Sequence, residues 1–473
     1  MTRINTNIPA LISINSLDRS NEALQKSLQR LSTGVRINTA ADDPAGLIVS
    51  ESLRAQIGSL KQGIDNAQRA ANVIATAEGA LGEVSVLLVS IRELVIEAAN
   101  AGTLSQEETD ANQLQIDSAI ESITRIANTT SFGQQKLLNG TLAFTTASVS
   151  AAAISDLSVY AANFGDNSSL TVNLNVTQSA QTGYLLYSGS QVTTAASVEV
   201  AGSKGSDVFS FAAATNVSAV VFGINQVVNL TGVSAAVLTS GGADVGVQMY
   251  STGYGADEFV SLNVLSGAFA TVDAAAAAAT RDVGRDAAGV LNGNSVTGKG
   301  NVFNFNSTGL DLGLTVTDGF SGATAFTILG GGGALFQISP DLATSVNIGI
   351  SSTSAAHLGS GDIGYLNSLV TGGANDLSSD NLDTAADIID ASINDVSMLR
   401  GRLGAFQKNV LETAVRSLRV TMENVSAAES LIRDADFASE TSELTRAQIL
   451  VNAGISVLAA ANASPQNVLA LLG

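Results

Sequence analysis

Few residues in this 473-residue chain could carry out chemistry. Cysteine is absent and histidine occurs once, at His357, which excludes thiolate nucleophiles, cysteine-ligated metals and two-histidine metal motifs. A single imidazole can act as a general base only if other side chains position it. The Ser- and Gly-rich sequence around His357 supplies no second histidine. We therefore expect His357 to be a surface residue.

Two glycine-rich segments have the spacing of nucleotide-binding loops. Residues 293–300 (GNSVTGKG) match G-x-x-x-x-G-K, but Gly300 stands where such a loop needs a Ser or Thr hydroxyl for Mg²⁺. The alternating residues 302–305 (VFNF) that follow are typical of a strand, whereas a phosphate loop leads into a helix. Residues 359–364 match G-x-G-x-x-G without a flanking strand and helix. We predict loops or hairpins at both places, and no cofactor or metal.

The overall charge excludes further classes of partner. Acidic residues outnumber basic ones by 42 to 22, which gives a formal net charge of −20 at pH 7. Nucleic acids and anionic membrane surfaces are bound through basic patches, so we expect neither as a partner. No 18 consecutive apolar residues occur, and residues 1–7 (MTRINTN) lack the apolar segment of a signal peptide. The sequence predicts no membrane span and no general secretory route.

Composition divides the chain into blocks at residues 1–140, 141–379 and 380–473. The two end blocks carry 45 of the 64 charged residues but only three of the 21 aromatic ones, whereas the middle block holds 32 of the 45 glycines. Charged, aliphatic sequence is typical of long helices, and Gly-, Thr- and Val-rich sequence of antiparallel sheets. We therefore predict an α+β multidomain protein with a helical coiled-coil or bundle core from both termini and a β-rich insert.

Apolar residues in the end blocks recur at alternating spacings of three and four, the pattern of packed helices. Gly34 should end a first helix, Asp43-Pro44 should begin a long second one, and the capping box at residues 105–108 (SQEE) a third. The C-terminal block predicts helices from residues 379–380 to about Val420 and from about Glu440 to Pro465. Each helix has an apolar stripe that needs a partner, so we expect the two ends to pair. An ordinary intramolecular coiled coil is the alternative explanation.

Several longer motifs lie at the two ends. They comprise residues 28–47 (LQRLSTGVRINTAADDPAGL), 132–140 (FGQQKLLNG), 426–438 (SAAESLIRDADFA), 446–450 (RAQIL) and 465–469 (PQNVL). Together these blocks resemble the bacterial flagellins, the subunits of the flagellar filament. The resemblance covers both ends, about half of the chain.

The resemblance implies three domains. Residues 1–42 and 435–473 would form an inner terminal-helix coiled coil, residues 43–140 and 380–434 an outer helical core, and residues 141–379 a variable, solvent-exposed insert. The dipeptide Ile224-Asn225, in a strand–helix–strand setting, is similar to the hook-IN repeat of flagellar axial proteins. We expect two such modules, at about 190–270 and 280–340.

The resemblance also implies a function. The chain would be exported unfolded through the flagellar secretion channel and would fold and polymerise helically at the filament tip, outside the cell. Its partners would be itself, sister flagellins, an export chaperone, the filament cap and the hook–filament junction proteins. No cofactor is implied. We expect the first and last ~40 residues to be disordered in the monomer, since ordering them costs entropy that assembly can offset.

Thirteen apolar residues are predicted to pack the helical layers between and within subunits. The inner-layer set is Leu24, Leu28, Leu31, Leu444, Val451 and Leu458, and the outer-core set is Leu60, Ile74, Leu81, Leu88, Leu399, Leu403 and Phe406. Leu403→Asp is expected to prevent filament formation.

Three further positions correspond to the footprint of an innate-immune Toll-like receptor on enteric flagellins. Leu94 is retained, but Ser90 and Gln115 stand where enteric flagellins have an Arg and a Glu. Loss of these two charges predicts weak receptor activation.

Other hypotheses concern the insert and the role of the chain. Sequons at Asn167, Asn175 and Asn306 and many Ser and Thr residues make the insert a candidate for surface glycosylation, with O-linked sugars as the first choice. A hook–filament junction protein would share the same termini and would differ by its low abundance. An enzyme or adhesin displayed on the insert is the alternative of a different class.

Overall fold

The computed structural model describes residues 6–100, 105–165, 167–307, 309–339, 345–361, 363–379 and 381–472, without the side chains of 464–472. These residues form two compact units. Unit 1 contains the described residues of Met1–Ala70, Gln337–Thr344 and Lys408–Gly473, and unit 2 contains those of Ala71–Phe336 and Ser345–Gln407.

The described chain ends are helical. The α-helices are α1 (Ile8–Thr33), α2 (Pro44–Ala98), α3 (Gln106–Thr129), α4 (Val217–Asn225), α5 (Val228–Thr231), α6 (Leu382–Phe406), α7 (Glu412–Arg433) and α8 (Phe437–Leu472). A five-residue π-helix, Gln407–Leu411, joins α6 to α7, and a 3₁₀-helix covers Leu366–Leu369. Helical ends around a β-rich middle confirm the predicted fold class.

Local signals explain where the N-terminal helices begin and end. Gly34 adopts a φ of 74° after α1 and donates its N–H to the Arg30 carbonyl at 2.8 Å, as expected of a left-handed C-cap. Pro44 is the first residue of α2, a single helix of 55 residues. The Ser105 hydroxyl accepts from the Glu108 N–H while the Glu108 carboxylate accepts from the Ser105 N–H, which completes the predicted capping box of α3.

The C-terminal helices are longer than their patterns predict. The helix expected to end near Val420 continues through the π-helix and α7 to Arg433. The last helix starts at Phe437, three residues before Glu440, and runs past Pro465 to Leu472. A proline removes one backbone hydrogen bond but does not by itself end a helix whose neighbouring turns are intact. The predicted start at Asp380 lies outside the described residues.

Twenty-two strands occur among the described residues between α3 and α6. They are β1 (Ser131–Phe132), β2 (Gln135–Lys136), β3 (Thr145–Ala147), β4 (Ile154–Ala162), β5 (Ser169–Gln178), β6 (Tyr184–Ser188), β7 (Ala196–Ala201), β8 (Ser206–Phe211), β9 (Val233–Ser240), β10 (Ala243–Ser251), β11 (Phe259–Ser266), β12 (Thr271–Val272), β13 (Arg281–Val283), β14 (Ala288–Leu291), β15 (Asn294–Thr297), β16 (Val302–Ser307), β17 (Leu310–Val316), β18 (Gly322–Leu329), β19 (Ala334–Gln337), β20 (Ser345–Ile348), β21 (Gly359–Ser360) and β22 (Gly364–Tyr365).

The four larger sheets build two separate cores. The proximal module has a five-stranded sheet, β15-β14-β5-β18-β3, and a three-stranded sheet, β16-β17-β4, around Phe303 and Phe326. The distal module has two four-stranded sheets, β12-β6-β10-β9 and β13-β11-β7-β8, and helix α4 around Val220 and Met249. Alternating burial along β5 shows why the strand forms, since every second side chain enters the core.

The two modules are nested rather than consecutive. The strands of residues 280–340 were expected to form a module by themselves, but β14 and β18 pair with β5, and β17 pairs with β4. The proximal module therefore also uses residues 145–178, and the distal module lies between them in the chain. At the junction, Gln181 and Arg285 exchange two backbone hydrogen bonds of 2.8 and 2.9 Å.

Candidate assembly surfaces

Helices α1 and α8 pack against each other in antiparallel orientation within unit 1. The Asn7 amide donates to the Ala461 carbonyl at 2.9 Å near one end of the pair. Near the other end, the Arg30 guanidinium lies 3.6 Å from the Glu440 carboxylate. Midway along the pair, Gly454 leaves room for Leu17, because a Cβ at that position would lie 3.2 Å from its side chain.

The predicted inner-layer residues differ in their exposure. Leu24, Leu31, Leu444, Val451 and Leu458 are all half-buried. Leu28 is 50% exposed, and the adjacent Ser27 is the buried residue at that turn. The small side chains of Ala10, Ser13 and Ser27 occupy the buried positions of α1, and small residues allow two helices to approach closely.

Large apolar side chains remain exposed on both helices. On α1 they are Ile8, Leu11, Ile12, Ile14 and Leu28, and on α8 they are Phe437, Ile449, Leu450, Ile455 and Val457. The segment Phe437–Ala463 has a mean hydropathy of 1.4 in its most apolar window, of which only 6% is buried. Among the described residues it is the one segment long and apolar enough to span a membrane, by length and composition alone. An apolar face of this extent on an isolated chain is typical of an interaction surface.

A polar junction joins the α1–α8 pair to the rest of unit 1. The Arg36 N–H and guanidinium donate to the carbonyls of Arg433 and Ile432 at 2.6 Å each, and the Ala435 N–H donates to the Gly34 carbonyl. The Arg433 guanidinium also pairs with Glu51 at 2.6 Å, which lowers the pKa of that carboxyl. The family-like blocks at 28–47 and 426–438 thus meet in space, which sequence periodicity alone could not reveal.

The predicted outer-core residues are mostly buried within the subunit itself. Ile74, Leu81, Leu88 and Leu403 are inaccessible to solvent, and the side chains of Leu60 in unit 1 and Leu399 in unit 2 are also buried. Phe406 is half-buried, and its ring centroid lies 6.2 Å from that of Phe336.

Neither glycine-rich segment has the surroundings of a nucleotide site. Residues 294–297 form β15, which pairs with β14 around the Asn292-Gly293 turn, so the phosphate-loop spacing belongs to a hairpin. Residues 359–364 hold the short strands β21 and β22, and residue 362 lies outside the described chain. His357 is exposed and its Nδ1 lies 3.0 Å from the Ser354 hydroxyl. No group of three His, Cys, Asp or Glu side chains that could hold a metal occurs among the described residues.

Comparison with known proteins decides the family. Residues 4–143 match the bacterial flagellin N-terminal helical region, and residues 386–472 match the bacterial flagellin C-terminal helical region. A flagellin of Salmonella rubislaw is 30% identical over 513 aligned residues, and a flagellin of Bacillus subtilis (strain 168) is 28% identical over 472, each with 99% of both chains covered. The chain belongs to the bacterial flagellin family.

Flagellins are structural subunits of the flagellar filament, an extracellular appendage of bacteria. The chain is therefore a structural protein of that filament and not an enzyme. The solved structure of FliC from Burkholderia pseudomallei is 15% identical and covers 72% of this chain and 98% of its own, with a TM-score of 0.24.

The positions predicted to match a receptor footprint lie on α2 and α3. Ser90 and Gln115 are exposed and Leu94 is half-buried. Between them, the Arg92 guanidinium makes two contacts with Asp390 of α6, at 2.7 and 3.2 Å. Arg92 is thus engaged within the subunit.

Proposed function

We propose that this flagellin polymerises helically with further copies of itself, and with sister flagellins where they occur, into a filament used for swimming. The subunit would be exported unfolded through the flagellar channel, without a cleaved signal peptide, and would fold at the growing tip. An export chaperone, the filament cap and the hook–filament junction proteins would be its other partners.

The exposed apolar surface of α1 and α8 carries this proposal. The two helices bury one stripe against each other, and their remaining apolar residues have no partner among the described residues of the chain. Burying apolar surface contributes roughly 25 cal/mol per Å², so covering this surface with other subunits would strongly favour a polymer. Helix α7 supports the same interpretation, because none of its side chains is buried and Leu431 is 83% exposed.

In this proposal, the exposure of each of the thirteen packing residues decides whether it packs between subunits or within one subunit. Exposed Leu28 and its apolar neighbours are assigned to contacts between subunits, whereas fully buried residues such as Leu81 and Leu403 are assigned to the core of one subunit. Leu403→Asp would therefore abolish filaments by unfolding the subunit, so it cannot test an interface. An exposed position on α8 is needed instead.

Leu450→Asp in the full-length protein tests the proposal. We expect the monomer to keep its helical circular dichroism, and the critical concentration for polymerisation, followed by sedimentation and electron microscopy, to rise at least about tenfold. Asn452→Asp is the matched control, since it adds the same charge at an exposed polar position of the same helix. Normal filaments from Leu450→Asp at the wild-type critical concentration would contradict the assignment of this surface.

Surface glycosylation is a separate proposal for the insert. Asn167 and Asn175 are exposed, whereas the third sequon includes Thr308, which lies outside the described residues. An intact mass above 47.9 kDa for protein purified from its source, lost after chemical deglycosylation, would support modification. An unmodified mass would exclude it.

A further inference from the structure

A cavity of about 630 Å³ lies within unit 2, between α6 and β4. Helix α6 contributes one stripe of side chains with spacings of i, i+3, i+4 and i+7, and β4 contributes alternate side chains of one face. The wall residues from α6 are Asp395, Met398, Leu399 and Arg402, and those from β4 are Asp156, Ser158 and Tyr160.

The two ends of this cavity differ in charge. At one end, the Arg402 guanidinium carbon lies 2.9 Å from the ring centroid of Tyr160, in cation–π contact. Asp395 is two helical turns away, roughly 10 Å along the axis. Its carboxylate accepts a 3.2 Å hydrogen bond from the Gly359 N–H. Among the described residues, no Lys or Arg forms an ion pair with Asp395 or Asp156, so the acidic end lacks a compensating cation.

Two independent features indicate that the cavity accepts a ligand. Burial, together with the nearby charge of Asp156, raises the pKa of Asp395 to about 6, which means that the ionised carboxylate is disfavoured in this environment. A cation bound beside Asp395 would stabilise the ionised form. Thr353, which is 2% exposed, lines the same cavity, and its hydroxyl has no hydrogen-bond partner among the described residues. An unpaired buried hydroxyl is costly, and a ligand that donates a hydrogen bond would satisfy it.

We propose that the acidic end of this cavity binds a primary ammonium group carried on an aliphatic stem. An ammonium has three N–H donors, and Asp395, Asp156 and Thr353 offer acceptor oxygens in the same cavity. The stem would lie against Met398 and Leu399. A free amine and a lysine side chain of another subunit share this chemistry.

The composition of the cavity argues against a metal ion. Two carboxylates face it, and no third His, Cys, Asp or Glu completes a ligand group in the described chain. The cavity is also in the size range of sites for small organic molecules, and far larger than an ion requires.

Calorimetric titration of the full-length protein with pentylammonium chloride at pH 7.5 tests the proposal. We expect saturable binding, and binding of 1-pentanol, which has the same stem without the charge, to be at least about tenfold weaker. Asp395→Asn and Thr353→Val should each weaken pentylammonium binding, the first by about tenfold or more. Asp387→Asn is the matched control on the exposed face of α6 and should bind as wild type does.

Two results would overturn the proposal. One is equal binding of pentanol and pentylammonium, and the other is unchanged affinity in both cavity variants. Neither variant is expected to unfold the protein, because Asp395→Asn removes a half-buried charge and Thr353→Val removes an unpaired hydroxyl. Repeating the titration on polymerised protein distinguishes the sources. Loss of binding there identifies a lysine of a neighbouring subunit as the occupant, and retained binding identifies a free amine.

Discussion

At the scale of single residues, polar side chains set the register between elements that apolar packing alone would leave undetermined. Asn225, the polar half of the Ile-Asn dipeptide, donates to the Ala235 carbonyl at 2.9 Å and accepts from the Ala235 N–H at 2.8 Å. Ile224 is buried in the distal core beside it. The dipeptide thus anchors α4 to β9 in one register, which gives the hook-IN-like motif a structural role.

Asn225→Ala should destabilise the distal module. The substitution leaves both backbone groups of Ala235 without their partner, at a cost of about 1–3 kcal/mol. Urea denaturation of the monomer, followed by the fluorescence of the module's tyrosines, would measure the loss. The control is Gln226→Ala, which changes the next, exposed residue and should alter the free energy of unfolding much less. If both variants lowered the free energy of unfolding equally, Asn225 would not be the residue that anchors α4 to β9.

Asp395 should make stability depend on pH. Its pKa of about 6 in the folded protein lies above the value of about 3.9 expected in the unfolded chain, so the folded state holds this proton more tightly. Its contribution to stability is complete below pH 4 and is lost as the pH rises through 6. Asp395→Asn should therefore stabilise the monomer relative to wild type at pH 8 and not at pH 4, in denaturation at both values. A difference independent of pH would contradict this assignment.

The exposed surface around Leu94 should activate the innate-immune receptor weakly. Ser90 and Gln115 offer neither of the two charges of the enteric footprint, and Arg92 is held by Asp390. A receptor reporter-cell assay on purified monomer should give lower potency than an enteric flagellin at equal concentration. Ser90→Arg combined with Gln115→Glu should restore part of the potency, and full potency in the unmodified protein would exclude the explanation.

At the scale of elements, local signals were sufficient for the N-terminal helices and insufficient for the ends of the C-terminal helices and for the sheets. Caps at Gly34 and Ser105 act over four residues and could be predicted from sequence. Leu28 could not be placed, because hydrophobicity favours Leu over Ser27, whereas close approach of two helices favours the smaller side chain. The nesting of the two modules was also missed, because β5 pairs with β14 more than 100 residues away and no local pattern specifies that partner.

Replacing the glycine that ends α1 should lower the stability of the protein. Gly34→Ala forces an L-residue into a φ of 74° and should lower the stability of the α1 end by about 1 kcal/mol. Gly58→Ala is the matched control, because Gly58 lies inside α2 with no atom within 4 Å of an added Cβ. It should instead raise stability by about 0.5–1 kcal/mol. Thermal unfolding of both variants as filaments, in which α1 is expected to be ordered, would check the opposite signs, and a shared sign would contradict the cap.

At the scale of the whole molecule, the terminal helices depend on each other and on assembly. Each buries one stripe against the other and leaves its remaining faces exposed, so much of the backbone of both helices is open to solvent. We predict that the first and last ~40 residues exchange amide hydrogens rapidly in the monomer and slowly in the filament. Hydrogen exchange with mass spectrometry on both forms would test this. The buried middle of α2, around Leu81, is the internal reference, and protection of the ends in the monomer equal to that of this segment would refute the prediction.

The paired backbone at Gln181 and Arg285 has a consequence for engineering. Because the chain leaves and re-enters the proximal module through two hydrogen-bonded neighbours, residues 182–284 form a cassette whose two chain ends lie side by side. The cassette also contacts the rest of unit 2, through the Asp257–Lys299 ion pair and the Asn229–Asp383 hydrogen bond. A foreign domain whose own ends lie close together could replace the cassette without changing the strand order of the proximal sheets. Such an exchange would turn the subunit into a carrier that presents one copy of an antigen or an enzyme at every repeat of a fibre.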